Sequence, residues 1–207
     1  MEKKKQGSKK SKVAKPESRA QTKTKAQLKK EIVAFLDQTS TQPGKSKKPG
    51  CPLKHGMACV LATVKNNEPR ATPVDFFSEG LTIWIAGEPG LKIRNIRSNP
   101  RVAVGIYHPM DHSKLNRSLQ VKGKASMINI RDHKRAFMAK AKKFGLIYAV
   151  EKIIEKNTVG ATVTLKERKE RIEKILSSFN LIRIDPDEIT YLYIHPTKGM
   201  EKDIWKK

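Results

Sequence analysis

The sequence has few acidic residues, few cysteines, few aromatic residues and no long hydrophobic run. Only 20 of the 207 residues are Asp or Glu, against 44 Lys or Arg, which gives a formal net charge of +24. No apolar run approaches the roughly 18 residues that a membrane-spanning helix needs. The lysine-rich N-terminus has no apolar stretch behind it, which argues against a secretory signal. We therefore expect a soluble protein without membrane contact.

The scarcity of cysteine bears on compartment and metal binding. Cys51 and Cys59 match neither a CxxC metal pair nor a disulfide framework, so a reduced cytoplasm is the expected location. His108 and His112 have the spacing to share a metal ion, but Pro109 lies between them and no third ligand is evident. We predict an ordinary polar loop there and no metal site.

Positive charge is concentrated at the N-terminus but is not confined to it. Residues 1–30 contain twelve Lys or Arg against two acidic residues, and residues 51–207 retain a net charge of +13. Because residues 1–25 have almost nothing to bury, we predict a disordered basic tail. The tail is either a solubilising arm or an arm that contacts nucleic acid or another polyanion. The first interpretation is favoured because no folded nucleic-acid motif accompanies the tail.

Hydrophobic periodicity predicts a single domain over residues 26–207. A helix at 26–38 is followed by segments of strand character at 58–65, 70–77, 81–87, 101–107 and 118–128. Helical periodicity occupies about 131–180, with Asp132 as a candidate N-cap, and strands return at 181–185 and 189–195 on either side of a DPDE turn. Six or so short strands joined mostly by hairpins indicate an α+β protein built on a small antiparallel barrel. The helical block is an insertion before the last strands.

The segment GEPGLKIRNIRSNP, residues 87–100, is the most informative for chemistry. A glycine-rich turn opens a short helix, and helix N-termini bind anions through free N–H groups. Lys92 lies in the first turn, where its ammonium could meet a phosphate. The alternative, which spacing alone favours, is an exposed basic helix whose isoleucines pack on the barrel. No catalytic triad or carboxylate pair stands out, so a cofactor would carry any difficult chemistry.

The strand RATPV, residues 70–74, contains a proline that cannot donate a hydrogen bond to a neighbouring strand. Pro73 therefore indicates an edge strand or a bulge. A functional alternative is a backbone left free to hydrogen-bond a flat ligand.

These segments resemble one known family. LATVKNNEPRATPVDFF, TIWIAG, LKIRNIRSNPRVAVGIY and LQVKGKA are similar, in order and spacing, to the FMN-binding split-barrel proteins related to pyridoxamine 5′-phosphate oxidase. The similarity covers about 55–128 and resumes at 181–194. It implies a six-stranded split β-barrel that dimerises, with FMN in a groove between the subunits. It also implies an FMN-dependent oxidoreductase that acts on an unidentified small molecule.

The resemblance also assigns cofactor-binding residues. It gives Lys92 the flavin phosphate, places the end of strand TIWIAG beside that phosphate, and gives strand RATPV to the flavin ring. The later strand SLQVKGKA would contribute one of two side chains. The residues so implied are Arg70, Ala71, Thr72, Pro73, Val74, Ile85, Ala86, Lys92, Ser118 and Gln120.

Two departures from the family separate this chain from true pyridoxamine oxidases. Those enzymes have an arginine before the lysine, where this chain has Leu91, and their substrate-binding C-terminal segment has no match in YIHPTKGMEKDIWKK. Vitamin B6 oxidation is therefore not expected. Alternatives are a split barrel that binds deazaflavin or haem, and a basic nucleic-acid-binding module without catalysis.

A homodimer is expected on physical grounds as well. A small barrel fills its own interior with side chains, so a flavin must bind outside and needs a second wall. Four aromatic residues are predicted to face outward and form that wall: Trp84, Tyr107, Tyr191 and Tyr193.

Overall fold

The computed structural model describes residues 23–44, 53–111, 113–157 and 164–207. Its helices are α1 (Lys25–Thr39), α2 (Leu91–Ser98), α3 (Ile130–Lys143), α4 (Leu146–Asn157) and α5 (Leu165–Leu176). Its strands are β1 (Gln42–Pro43), β2 (Leu53–Lys54), β3 (Cys59–Lys65), β4 (Glu68–Val74), β5 (Phe77–Glu79), β6 (Thr82–Gly87), β7 (Arg101–Tyr107), β8 (Asn116–Asn129), β9 (Asn180–His195) and β10 (Gly199–Lys206).

Eight of these strands form one antiparallel sheet in the order β4-β3-β7-β8-β9-β6-β5, with β10 paired to the second half of β9. Strands from both ends of this order, β3 and β6, contribute to the same hydrophobic core, so the sheet is rolled. The end strands β4 and β5 are not paired with each other in the part of the chain described. The predicted class, an α+β split barrel, is confirmed.

The predicted number of six strands is wrong, because β5 and β10 add to the sheet. The segment 70–77 divides into β4 and the separate short strand β5, with Asp75 and Phe76 between them. The C-terminal segment lacks regular alternation of apolar residues, yet it pairs with β9 along the whole of Gly199–Lys206. Backbone pairing to a long neighbouring strand, rather than its own pattern, makes it a strand.

Strands β3 and β4 are joined by a two-residue turn at Asn66 and Asn67. Asn66 and Asn67 both have positive φ, at 51° and 62°. Two successive residues of this kind form the type I′ turn that matches the twist of a two-residue hairpin, and asparagine tolerates that conformation well. The hairpin makes β4 the last strand at this end of the sheet, as Pro73 indicated.

Strand β9 corrects the predicted DPDE turn. The strand runs without interruption through Pro186, which is buried. The proline is accommodated because the pairing between β8 and β9 shifts register between Lys122 and Gly123. A Cβ at Gly123 would lie 2.3 Å from the carbonyl oxygen of Asp185, so this close approach of the two backbones requires glycine.

Two hydrophobic clusters divide the interior. The larger one fills the barrel and includes the inner faces of the strands together with one side of α1 and of α2. The second lies on the outside of β5 and β6, where α3, α4 and α5 bury Phe77, Trp84 and Leu181. The insertion predicted at about 131–180 is therefore a helical layer over one part of the sheet. Its first helix is capped by Asn129 rather than the predicted Asp132, whose N–H donates to the Asn129 side chain at 2.9 Å.

The predicted disordered tail, residues 1–25, lies mostly outside the described residues. Its last three residues belong to the folded unit. Thr24 caps α1 in a reciprocal capping box with Gln27. The Lys23 ammonium donates to Glu31 at 2.7 Å and to the Tyr193 hydroxyl at 2.8 Å. A tail boundary at residue 25 is thus too late.

Candidate functional site

Helix α2 closes one end of the barrel between β6 and β3. Ile93 and Ile96 are buried in the barrel core, which confirms the predicted packing of the isoleucines. The buried Asn95 amide donates to the Thr63 hydroxyl of β3 at 3.1 Å. Thr63 is the register partner of Arg70 on β4. The helix therefore links the end of β6 to the free edge of the sheet at β4.

Lys92 lies against the end of β6. A Cβ at Gly87 would come within 3.2 Å of the Lys92 Cε and 3.3 Å of the Ile182 Cδ1, so the glycine makes room for the lysine stem. The side chain is half-buried, and no carboxylate among the described residues lies within 4 Å of its ammonium. A half-buried, uncompensated cation in the first turn of a helix is suited to hold an anion.

Strand β4 offers an unpaired backbone edge and an unsatisfied hydroxyl. It pairs with β3 alone among the described strands, so its other edge is open to a ligand. The Thr72 hydroxyl oxygen is buried and has no hydrogen-bond partner in the described structure. Leaving a buried hydroxyl unpaired costs about 1–3 kcal/mol. A ligand that hydrogen-bonds Thr72 would remove this cost.

The two sides of β4 have different surroundings. Thr72 pairs with Leu61, which lies in the barrel core, so Arg70, Thr72 and Val74 alternate onto the inner side of the strand. Ala71 and Pro73 point to the outer face, where both are exposed. Of the five residues predicted from this strand, three thus face the side closed by α2, while the other two can offer only backbone groups there.

Ile85 and Ala86 are more restricted than the prediction implied. The Ile85 side chain is fully buried in the barrel core. Both residues pair with β9, where they lie opposite Ile182 and Leu181. This edge of β6 is therefore already occupied by a neighbouring strand. The residue that meets the Lys92 stem is their neighbour Gly87. A ligand bound by Lys92 would thus lie at the end of β6, with Ala86 as the nearest of the two predicted residues in sequence.

Ser118 and Gln120 lie away from these groups. Both side chains are on the outer face of β8. Gln120 lies opposite Gly105 of β7, and Gly105 lies opposite Val60 of β3. Val60 lies opposite Pro73 of β4, so three strand spacings separate Gln120 from β4. Three strand spacings correspond to about 14 Å. Within one chain, the structure therefore does not bring these two residues to Lys92 and Thr72.

The predicted outward aromatic wall is wrong for three of its four members. Trp84 is buried under the helical layer, and Tyr191 and Tyr193 are buried in the barrel core. Only Tyr107, 56% exposed, faces outward. Leu192 and Ile194, rather than the two tyrosines, occupy the outer face of β9. For Trp84, the sequence did not show that α3 would cover that side of β6.

A polar cavity of about 490 Å³ lies between α3 and strands β6, β8 and β9. Lys140 and Arg183 flank the Trp84 ring, at 4.8 Å and 6.0 Å from its centre, and the Trp84 indole nitrogen is buried without a partner. Burial alone would raise the pKa of Glu79, but hydrogen bonds from Lys140 and Lys143 outweigh it and hold this pKa below its usual value. Sequence reasoning missed the cavity, whose only local signal was the pair of small residues Ala136 and Ala139 on α3.

The remaining chemical candidates give no site. No group of three or more potential metal ligands occurs within the described ranges. Burial raises the pKa of the Cys59 thiol to about 12, so it stays protonated and unreactive. Cys51 and His112 lie outside the described residues, while His108 packs edge-on against Phe35. None of the described helices is long and apolar enough to cross a membrane.

We call Lys92 of α2 and the inner side and open edge of β4 the seam. Taken together, the groups of the seam fit a phosphorylated planar cofactor. Lys92 supplies a cation without a carboxylate partner for the phosphate, and the open edge of β4 supplies backbone groups for a flat ring. The Thr72 hydroxyl supplies an unused hydrogen-bonding group beside that edge. Arginine is absent before the lysine, and the exposed Leu91 takes its place.

Comparisons with known proteins agree with this fold. A family model described as pyridoxamine 5′-phosphate oxidase matches residues 53–193, well over half of the chain. General Stress Protein 26 from Bacillus anthracis str. Sterne is 21% identical with a TM-score of 0.50, and the match covers 87% of this chain and 98% of that one. No curated protein matches the chain.

A second solved structure is a pyridoxamine 5′-phosphate oxidase-related, FMN binding protein from Nostoc punctiforme PCC 73102. It is 16% identical with a TM-score of 0.50, and the match covers 72% of this chain and 81% of that one. At these identities the two structures support the fold alone. The family model spans the barrel strands, α2 and the helical layer, and the chain belongs to the pyridoxamine 5′-phosphate oxidase family.

Proposed function

We propose that this protein binds FMN at the seam between α2 and β4 and is an FMN-dependent oxidoreductase that acts on a small molecule. The observation that carries the proposal is the buried Thr72 hydroxyl without a partner at the open edge of β4, together with a Lys92 ammonium that meets no carboxylate among the described residues. The Nostoc relative, which has the same fold, is described as FMN binding. Family membership and site chemistry thus support the same class of cofactor.

Each group at the seam has a role that follows from its position. Lys92 binds the phosphate through a charge-assisted hydrogen bond, helped by the free N–H groups of the first turn of α2. The open edge of β4 and the Thr72 hydroxyl orient the ring. When bound, a flavin supplies electron transfer at N5 of its ring system. The protein's part is to hold that ring against the substrate and keep water from it.

The proposal includes a homodimer, because one chain leaves the site incomplete. Ser118 and Gln120 are on the outer face, about 14 Å from β4, so they can reach a flavin only in a second copy of the chain. The same outer face is apolar and exposed at Tyr107 and Ile204. Packing this face on a second copy would bury it and supply the second wall that an externally bound flavin needs.

The cavity beneath α3 is the expected position of the small-molecule substrate. It includes Trp84, which shares a face of β6 with Ala86 because the two are separated by one residue. Lys140 and Arg183 are paired with Glu79 and Asp185, so the cavity offers polar contacts without an excess of positive charge.

Replacement of Lys92 tests the phosphate contact. Lys92→Ala should weaken FMN binding by about 1–3 kcal/mol, which is roughly a 5- to 150-fold rise in Kd, because a charge-assisted hydrogen bond is lost. Quenching of FMN fluorescence on titration gives the Kd. The matched control is Lys65→Ala, an exposed lysine at the end of β3, which should leave the Kd unchanged. Equal affinities for all three proteins would show that the phosphate site has been misplaced.

The basic tail should not take part in the flavin site. Every residue assigned to the site lies beyond position 69, so deletion of residues 1–22 should leave the FMN affinity and the oligomeric state unchanged. Deletion stops at 22 because Lys23 is bound to the folded unit. The same deletion should weaken any binding to nucleic acid, since eight Lys or Arg are removed. Loss of flavin binding on truncation would place the tail in the site.

A further inference from the structure

The folded part of the chain has its own region of one-signed charge. Residues 89–131, which form α2, β7 and β8, contain nine Lys or Arg and a single acidic residue, Asp111. Asp111 is paired with Lys114 at 3.1 Å. An excess of this size in a folded segment needs compensation, either from neighbouring elements or from a partner.

Three of these cations lie where α2 leads into β7 and β7 pairs with β8, and we name Arg97, Arg101 and Lys124 the basic cluster. Arg97 lies in the last turn of α2, and Arg101 begins β7 directly after that helix. Lys124 of β8 is the register partner of Arg101. The Ala125 N–H donates to the Pro100 carbonyl at 2.8 Å, which fixes the end of α2 against β8. All three side chains are exposed.

The basic cluster is not neutralised within the chain. No carboxylate in the described segments lies within 4 Å of any of its three charges. Asp185, which is opposite Lys124 on β9, is engaged by Arg183 at 3.0 Å. In the helical layer, by contrast, several cations are paired with carboxylates, such as Lys134 with Glu173.

Like charges opposite each other on adjacent strands destabilise a sheet. Arg101 and Lys124 are such a pair, and Arg97 precedes Arg101 by four residues in the last turn of α2. A polyanion bound across these side chains would turn this repulsion into attraction and would release counterions. The net charge of +24 further favours a negatively charged macromolecule as the partner.

We propose that the basic cluster binds the phosphate backbone of nucleic acid, in addition to the tail. The contacts are to phosphates and do not read bases, because the buried side of α2 is committed to the barrel core and cannot enter a groove. Binding is therefore sequence-independent and strongly salt-dependent.

The test is the salt dependence of binding by the full chain to a fluorescein-labelled 20-nucleotide thymidine oligomer. Each phosphate contact on a single strand contributes about 0.7 to the slope of log K against log salt. The triple variant Arg97→Gln, Arg101→Gln, Lys124→Gln should lower the slope by about 2 and weaken binding roughly 100-fold at 0.1 M salt. Sedimentation of this variant is measured alongside, because Arg101 and Lys124 share the outer face of β7 and β8 with Ala103 and Gln120. A variant that becomes monomeric would place the cluster in the subunit contact and overturn the proposal.

A matched triple variant makes the same change in net charge elsewhere. Lys142→Gln, Lys156→Gln, Lys166→Gln removes three exposed lysines from the helical layer and should alter the slope by less than half as much. Equal losses in the two triple variants would show diffuse attraction by net charge and overturn the proposal. Unchanged binding in the first variant would assign all binding to the tail and also overturn it. Binding of the first variant to anionic lipid vesicles is measured in parallel. If it loses vesicle binding but keeps oligomer binding, the basic cluster is a lipid site and the proposal is overturned.

Discussion

The two halves of the outer face of the sheet differ in what covers them. On one half, α3, α4 and α5 bury Phe77, Trp84 and Leu181 to 5% exposure or less. On the other half, formed by β4, β3, β7, β8 and β10, no described residue covers the small and apolar side chains. Tyr107 and Ile204 there are 56% and 48% exposed.

The described residues of one chain therefore cover only one half of its sheet. The covered half needs large side chains to fill the space under the helices. The uncovered half has small side chains at Ala62, Ala71 and Ala103, which form a flat surface that another sheet can approach closely. The homodimer that we propose would give this half the cover that the helical layer gives the other.

The largest expected effect is on the covered half. Phe137→Ala should lower the free energy of unfolding by about 3–5 kcal/mol, because the Phe137 side chain is fully buried between α3 and the sheet. Urea denaturation followed by circular dichroism measures the change. Tyr107→Ala on the uncovered half, measured on dilute monomer, should cost less than about 1 kcal/mol. Similar losses in both variants would contradict the distinction between the halves.

A charge placed on the uncovered half should separate the proposed dimer. Ala103→Arg adds a charge at an exposed position of β7 and should shift the mass in sedimentation from twice 23.4 kDa to 23.4 kDa. FMN affinity should fall with it, because Ser118 and Gln120 of a second copy are lost. Tyr148→Arg, on the exposed side of α4, serves as the control and should leave the dimer intact. A monomeric variant that retains full flavin affinity would refute the shared site.

The smallest effect concerns pH and the covered half alone. Because its lysine partners hold the pKa of Glu79 below the usual 4.5, the ion pairs stabilise the fold above that pH. Their contribution is lost as the pH falls through the lowered pKa, when the folded protein protonates Glu79. Glu79→Gln should therefore lower the urea midpoint at pH 7 and differ less from the wild type near about pH 3. A difference that does not depend on pH would contradict this linkage.

Local sequence patterns were enough to predict most elements of the fold. The Asn66-Asn67 turn, the α2 helix and the edge position of β4 each follow from residues adjacent in sequence. The continuous β9 and the pairing of β10 were not predictable in this way. Both depend on backbone pairing with distant strands, and Pro186 is tolerated only because Gly123 on β8 allows a register shift.

The candidate site shows the same limit. The sequence placed Lys92 in the first turn of a helix, and the structure adds that Gly87 makes room for its stem. The facing direction of Tyr191 and Tyr193 was missed, because a strand pattern with apolar residues on both sides does not fix which side is the core. The cavity around Trp84 needed the position of α3, which no local pattern contains.

The visible absorption spectrum of the purified full-length protein, with the mass of the released chromophore, tests the central claim most directly. We predict the spectrum of an oxidised flavin and a released molecule with the mass of FMN, present at one per chain. Deazaflavin or haem would each give a different spectrum and mass, and would replace FMN as the cofactor. A colourless protein that does not quench the fluorescence of added FMN would contradict the proposed function.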